Sequence, residues 1–216
     1  MNNMKKRLII ICSSLLILTL CIGGTLAYFF DQQEVKNEFT VNDLGIGVDL
    51  TEPNWDPDKA VDIMPGDIIP KDPTITNEKD EAYARVIVTI QDKSGNVITD
   101  ADQSAKIFSM LYYASSPITS KISTTQLAAY DRVNPAFELD TARSSNGIYY
   151  FNYKKIMVTG ESSMLFTGVV VPFDWTQTDI DDIGNYDILV KVESIQAKNF
   201  DTAAEAFTAL DTHVNP

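Results

Sequence analysis

The segment Tyr83-Ala-Arg-Val-Ile-Val-Thr-Ile90 constrains this chain more than any other. Ala84, Val86, Val88 and Ile90 alternate with Tyr83, Arg85, Ile87 and Thr89. Successive side chains of a strand point to opposite faces, so this period of two predicts a strand. The first set is wholly apolar and is expected to face a core. Ser94-Gly95-Asn96 then reads as a hairpin turn into Val97-Ile98. Tyr186 to Ile195 alternates in the same way, with Ile188, Val190 and Val192 on one side. Strands of this kind, separated by turn residues, point to antiparallel sheets.

Weaker segments extend the pattern. Phe39 to Leu50 alternates through Leu44, Ile46, Val48 and Leu50, broken by Gly45 and Gly47. Residues 51–73 are rich in Pro and Asp and include Asn54, with Trp55 and a Pro65-Gly66 turn. Ile148 to Met157 reads as an aromatic strand, Thr159-Gly160-Glu161 as a turn, and Met164 to Pro172 as one further strand ended by proline. A helix is expected from Asp102 to Tyr113, capped by Asp100 or Asp102, with Ile107, Phe108, Leu111 and Tyr112 at helical spacing. A second is expected from Thr202 to Leu210, where Thr202 and Glu205 match a capping box. The Ser/Thr-rich residues 114–146 give no assignment. The expected fold class is mainly β, an antiparallel β-sandwich with two or so short helices, formed by a single domain over residues 28–216.

The first residues read as an address. Lys5, Lys6 and Arg7 precede an uncharged run from Leu8 to Ile22, and Gly23-Gly24-Thr25-Leu26-Ala27 follows. Basic start, apolar centre and small residues are the parts of a secretory signal. The run is short for a spanning helix, which needs about 20 residues. Thr25 and Ala27 suit the third and first positions before a scissile bond, so a signal helix over 1–27 is expected to be cut between Ala27 and Tyr28. An uncleaved membrane anchor and a lipid-modified Cys21 are the competing readings. Cleavage removes Cys12 and Cys21, the only cysteines, and leaves a chain without thiols for an oxidising compartment.

Charge and composition exclude several functions. The formal net charge is −13, and removal of the basic start makes the remainder more acidic. Nucleic acid is therefore excluded as a partner, since phosphate binding needs clustered Lys and Arg. No membrane contact is expected beyond the signal segment. One histidine, His213, cannot supply the paired histidines of a zincin, and it reads as a solvated residue near the end. No Gly-x-Ser-x-Gly elbow occurs, and a Ser–His or Cys–His dyad has no materials. No cofactor and no catalytic residue are expected.

The N-terminal motif Gly23-Gly24-Thr25-Leu26-Ala27-Tyr28-Phe29-Phe30-Asp31, followed by Val35, Asn37, Phe39 and Thr40, resembles the TasA/camelysin group of secreted Gram-positive proteins, cut by the signal peptidase SipW. Leu50 to Asp56, Met64-Pro65-Gly66-Asp67, Lys71 to Asn77, Ala82 to Val86, Gly160-Glu161, Leu165-Phe166, Val169 to Pro172 and Ile195-Gln196-Ala197 are similar to its BsaA-type biofilm-matrix branch. The resemblance implies a jelly-roll-like sandwich and a subunit of an extracellular fibre. It implies that an N-terminal extended segment, 28–41, adds to the sheet of a neighbouring copy; the donor residues would be Tyr28, Phe29, Phe30, Val35, Phe39 and Val41. Self is then the main partner, with the signal peptidase during export and an open place for an accessory assembly protein. Some camelysin relatives are classed as metallopeptidases, so a secreted metallopeptidase is the alternative, and a monomeric cell-surface adhesin a third.

Other residues carry weaker chemistry. Asp174, Asp179, Asp181 and Asp182 are candidates for extracellular calcium, against a reading as a solvated acidic loop. Asp56, Asp58, Asp62 and Asp67 invite the same pair of readings. Tyr149, Phe151 and Tyr153, on the face opposite Tyr150, suit either a carbohydrate platform or a sheet core. Lys154 and Lys155 are candidates for an isopeptide link. The closing Leu210 to Pro216 carries no apolar tail, so surface attachment is expected to come through assembly or a partner.

Overall fold

The computed structural model describes residues 30–35 and 47–214 of the 216. The expected signal helix and most of the segment 28–41 lie outside them. The fold is mainly β, and every strand pairing within its three sheets is antiparallel.

The largest sheet is built around the two strands that alternate most clearly. β5 (Ala82–Gln91) and β11 (Asp187–Gln196) pair along their whole length, from Asp187 opposite Gln91 to Gln196 opposite Ala82. β8 (Ile148–Tyr153) and then β7 (Phe137–Leu139) extend the sheet on the β5 side. β1 (Phe30–Val35) lies on the outer edge of β11, with Phe30 opposite Ile195 and Val35 opposite Val190. The five strands therefore run in the order β1-β11-β5-β8-β7.

Two three-stranded sheets cover one face. The first joins β2 (Val48–Thr51), β4 (Thr74–Asn77) and β9 (Ser162–Met164); the second joins β3 (Ile68–Pro70), β10 (Gly168–Val170) and β6 (Leu111–Tyr112). Ala84, Val86, Val88 and Ile90 of β5 share one core with Val48 and Leu50 of β2, Ile75 of β4, Ile69 of β3 and Val169 of β10. Val190, Val192 and Phe151 enter it from β11 and β8. The apolar face read from the alternation of β5 is thus the buried inner face.

Part of the opposite face is also buried, at Tyr83, Arg85 and Ile87 of β5 and Glu193 and Ile195 of β11. Helix α4 (Ala203–Val214) lies over it, and Ala206, Phe207 and Leu210 pack on Tyr83, Ile195 and Ala197. Full burial of one such large apolar side chain contributes about 1.5–3 kcal/mol. Thr202 Oγ1 accepts the N–H of Glu205, as the capping pattern predicts, and the helix runs past Leu210 to Val214.

Several expectations need correction. Helix α1 (Ala101–Ser109), capped by Asp100, ends at Met110, and Leu111 and Tyr112 form β6 instead of its last turn. Their apolar spacing suits a helix and a buried strand equally. The expected strand Met164–Pro172 is two, β9 and β10, in different sheets. Residues 114–146 contain α2 (Thr124–Leu127), held by a complete Ser123–Gln126 capping box, and β7. α3 (Gln177–Ile183) completes the four α-helices among the described residues.

Candidate functional site

The motif residues at 50–56 and 64–77 meet at one corner, where β2 pairs with β4 and Leu50 faces Ile75. Just beyond β2, Lys71 Nζ donates to Glu52 Oε1 at 2.7 Å and to Oε2 at 3.0 Å. Both side chains are nearly shut from water, 8% and 7% exposed. The ammonium also sits 4.6 Å from the centre of the Trp55 ring, a cation–π distance. The backbone N–H of Asn54 donates to Asp72 Oδ1 at 2.9 Å, and its side-chain amide donates to Oδ2 at 2.6 Å.

The remaining motif residues also shape backbone. Asp67 Oδ2 accepts the N–H of Met64 at 2.7 Å, and Gly66 takes φ +96°, a conformation suited to glycine. The N–H of Gly66 donates to the Val171 carbonyl, and the N–H of Val171 to that of Asp67. The wholly buried Asn77 donates its side-chain amide to the carbonyls of Asp80 and Met157. These polar groups hold strands and turns together, with their hydrogen-bonding capacity used on one another.

Beside this corner lies a cleft of about 1010 Å³. Trp55, Ile63, Ile69, Ile180, Tyr186 and Leu189 are among the residues lining it. The Trp55 Nε1–H is buried and meets no acceptor among the described residues. Burial pushes the Tyr186 phenol above its ordinary pKa.

A buried ionic group that the sequence reading missed ties α4 to the large sheet. Arg85 is 3% exposed and Glu193, opposite it on β11, 5%. Arg85 Nε donates to Glu193 Oε2 at 2.6 Å, and its Nη2 donates to Asp211 on α4. Arg143 Nε donates to Asp211 Oδ2 at 2.7 Å and its Nη1 to Asp140 Oδ2 at 2.8 Å. The Arg85 guanidinium lies 4.7 Å from the Phe207 ring centre. Burial pulls the Arg85 pKa down, but Asp211 and Glu193 outweigh it and hold the group above its usual value. Burial pushes Asp211 up, and hydrogen bonds from Arg85 and Arg143 leave it below the usual carboxylate range. Opposite charges at a cross-strand pair, Arg85 and Glu193, were the sequence signal for this group.

The predicted site residues are dispersed. Phe30 and Val35 begin and end β1. Thr25, Ala27, Tyr28, Phe29, Phe39 and Val41 lie outside the described residues. Asp174 accepts the backbone N–H and hydroxyl of Thr124. Asp179 caps α3 through Thr176 and pairs with Lys106 at 2.8 Å, and Lys106 also pairs with Asp182. The hydrogen bond from Lys106 holds Asp179 well below the usual carboxylate range. Asp181 accepts from Gln177. Asp56 caps the short 3-10 turn Pro57–Ala60. Among the described residues no group of three His, Cys, Asp or Glu side chains is placed to hold a metal ion.

The aromatic platform is not exposed. Phe151 and Tyr153 are buried, Tyr149 stacks on Phe108, and Tyr150 faces Arg85 beneath α4. Lys154 is exposed, and Lys155 pairs with Glu161 at 2.8 Å. His213 falls within α4.

Among the described residues no helix is long and apolar enough to cross a membrane. No curated protein and no solved structure matches the chain. The family model described as camelysin metallo-endopeptidase matches residues 3–165. That span takes in the motif corner and four of the five strands of the large sheet, and the chain is a member of the camelysin, TasA-like family.

Proposed function

We propose that this protein is a secreted structural subunit of an extracellular fibre, of the BsaA biofilm-matrix kind, and not an enzyme. In this reading a signal peptidase of the SipW type cuts after Ala27, and the freed N-terminal segment adds to the β11 edge of the next copy. The observation that carries it is the place of β1, a six-residue strand on the sheet edge whose one ladder among the described residues is with β11. A sheet edge presents unpaired N–H and C=O groups to any strand that fits. The same six positions of β11 can therefore be paired by the chain's own segment or by a neighbour's. A contact of that head-to-tail kind, not closed by symmetry, propagates as a filament.

The family description supports a second reading, a metallopeptidase. The two separate in one experiment. The protein purified from the producing cells is inspected by electron microscopy, and casein cleavage is assayed with and without chelator. Filaments that vanish on deletion of residues 28–36, with no chelator-sensitive cleavage, are the expected result. Filaments from the deletion variant overturn strand donation, and chelator-sensitive cleavage establishes the peptidase.

A further inference from the structure

The two faces of the large sheet carry separate apolar clusters. On the inner face, Val86, Val88, Val190 and Val192 belong to the core shared with the two smaller sheets. On the outer face, Tyr83, Ile195 and Ala197 meet Ala206, Phe207 and Leu210 of α4 in a small cluster of their own. Its cover is one helix, which follows β11 through the 3-10 turn Ala197–Asn199. A segment held by few buried contacts opens independently of a core. Charge holds this one shut. One oxygen of Asp211 accepts from Arg85, and the other accepts from Arg143 Nε at 2.7 Å. Glu193 and Tyr150 are the other groups of the sheet that face Arg85, and Lys191 pairs with Glu193 at 3.5 Å. Asp140 holds Arg143 from within its own turn. Arg85 Nη1 is buried and meets no acceptor among the described residues, so its guanidinium leans on Asp211 and Glu193.

We propose that α4 is an acid-released cover: protonation of Asp211 frees the helix from the outer face of the sheet and bares Tyr83, Ile195 and Ala197, while the inner core stays folded. A neutral Asp211 no longer balances Arg85 and Arg143, whose charges persist in acid. A buried cation that loses its partner is strongly destabilised. Arg85 meets that penalty where it stands, 3% exposed beneath Phe207, and departure of the helix lets water reach it. Asp211 is held below the usual carboxylate range while docked, so it binds a proton more readily once undocked, and falling pH favours release. Asp140 titrates in the same direction and loosens its hold on Arg143 alongside. The inference concerns the single subunit and does not depend on fibre formation.

Amide hydrogen exchange read by mass spectrometry separates release of the helix from unfolding of the whole, because protection factors correct for the pH dependence of the free-peptide rate. In the protein purified from the producing cells, protection over residues 203–210 is expected to fall at least about tenfold between pH 6 and pH 3, the factor that one pKa unit of differential binding represents. Protection over residues 84–90 of β5 is expected to persist. Trp55 and Trp175 pack on the inner core and are expected to keep their emission. Asp211→Asn is expected to bring the low protection of 203–210 to pH 6, with little further fall at pH 3. Thr208→Ala, on the exposed side of the same helix, is expected to keep the pH response of the parent. Equal loss of protection at 203–210 and 84–90, in the parent or in Asp211→Asn, overturns the inference, as does a helix in Asp211→Asn that is protected as in the parent.

Discussion

Single residues at the motif corner are placed for stability. Lys71 and Glu52 are withdrawn from water together, so each charge depends on the other. Removing one partner of a buried pair typically costs about 3–5 kcal/mol, whereas exchanging both for apolar side chains of like volume is often neutral. Lys71→Ala is therefore expected to lower unfolding free energy by about 3 kcal/mol in urea titration. Lys71→Met with Glu52→Leu is expected to recover most of that loss. Recovery of nothing by the double variant would show that the corner needs the charges themselves. The motif was plain in the sequence as a string of residues, but its meaning was not. Glu52 and Lys71 are distant in sequence, and only the pairing of β2 with β4 brings them together.

At the scale of elements, legibility followed burial. β5 and β11 were readable because Ala84, Val86, Val88 and Ile90 and, facing them, Ile188, Val190 and Val192 make apolar inner sets, and their turns carry Gly and Asn. α1 was read too long, because Leu111 and Tyr112 are buried in a strand by neighbours that no local pattern names. The outer face of β5 was not assigned from the sequence: Arg85 lies between Tyr83 and Ile87 in that set, and all three are buried. The cover is α4, whose ionic tether is pH-sensitive with a definite sign. Asp211 and Asp140 titrate below their ordinary range, so their stabilisation is complete above the unfolded carboxylate pKa and is lost as pH falls through the folded value. Arg85 and Arg143 lie above their ordinary value and stay charged throughout the acid range. Stability is expected to decline below about pH 4, and Asp211→Asn to flatten that decline, as read by urea midpoints from pH 7 to 3. Phe207→Ala, at 1% exposure, is expected to cost about 3–5 kcal/mol, measured the same way.

For the whole molecule, two features set the conditions of use. The described residues contain no cysteine, so no disulfide braces them, and the core and the buried polar groups carry their stability. A reducing agent is expected to leave the unfolding midpoint of a chain of residues 28–216 unchanged, since that stretch holds no cysteine. Net charge is strongly negative, and like-charged copies repel until salt screens them within about 8–10 Å at physiological strength. If copies associate end to end, assembly followed by light scattering is expected to run faster at about 0.15 M salt than at about 0.01 M, where the screening length is ~30 Å.

The order in which strands become neighbours has a consequence for export. The strand that emerges first, Phe30–Val35, finds its place only against Val190–Ile195, and β11 is also the strand that separates it from β5. A chain threaded through a membrane from its front end thus leaves that front strand unsatisfied until nearly the last of the polypeptide has come through. If the chain is exported in this way, completion of the large sheet waits, by topology alone, until the chain has crossed.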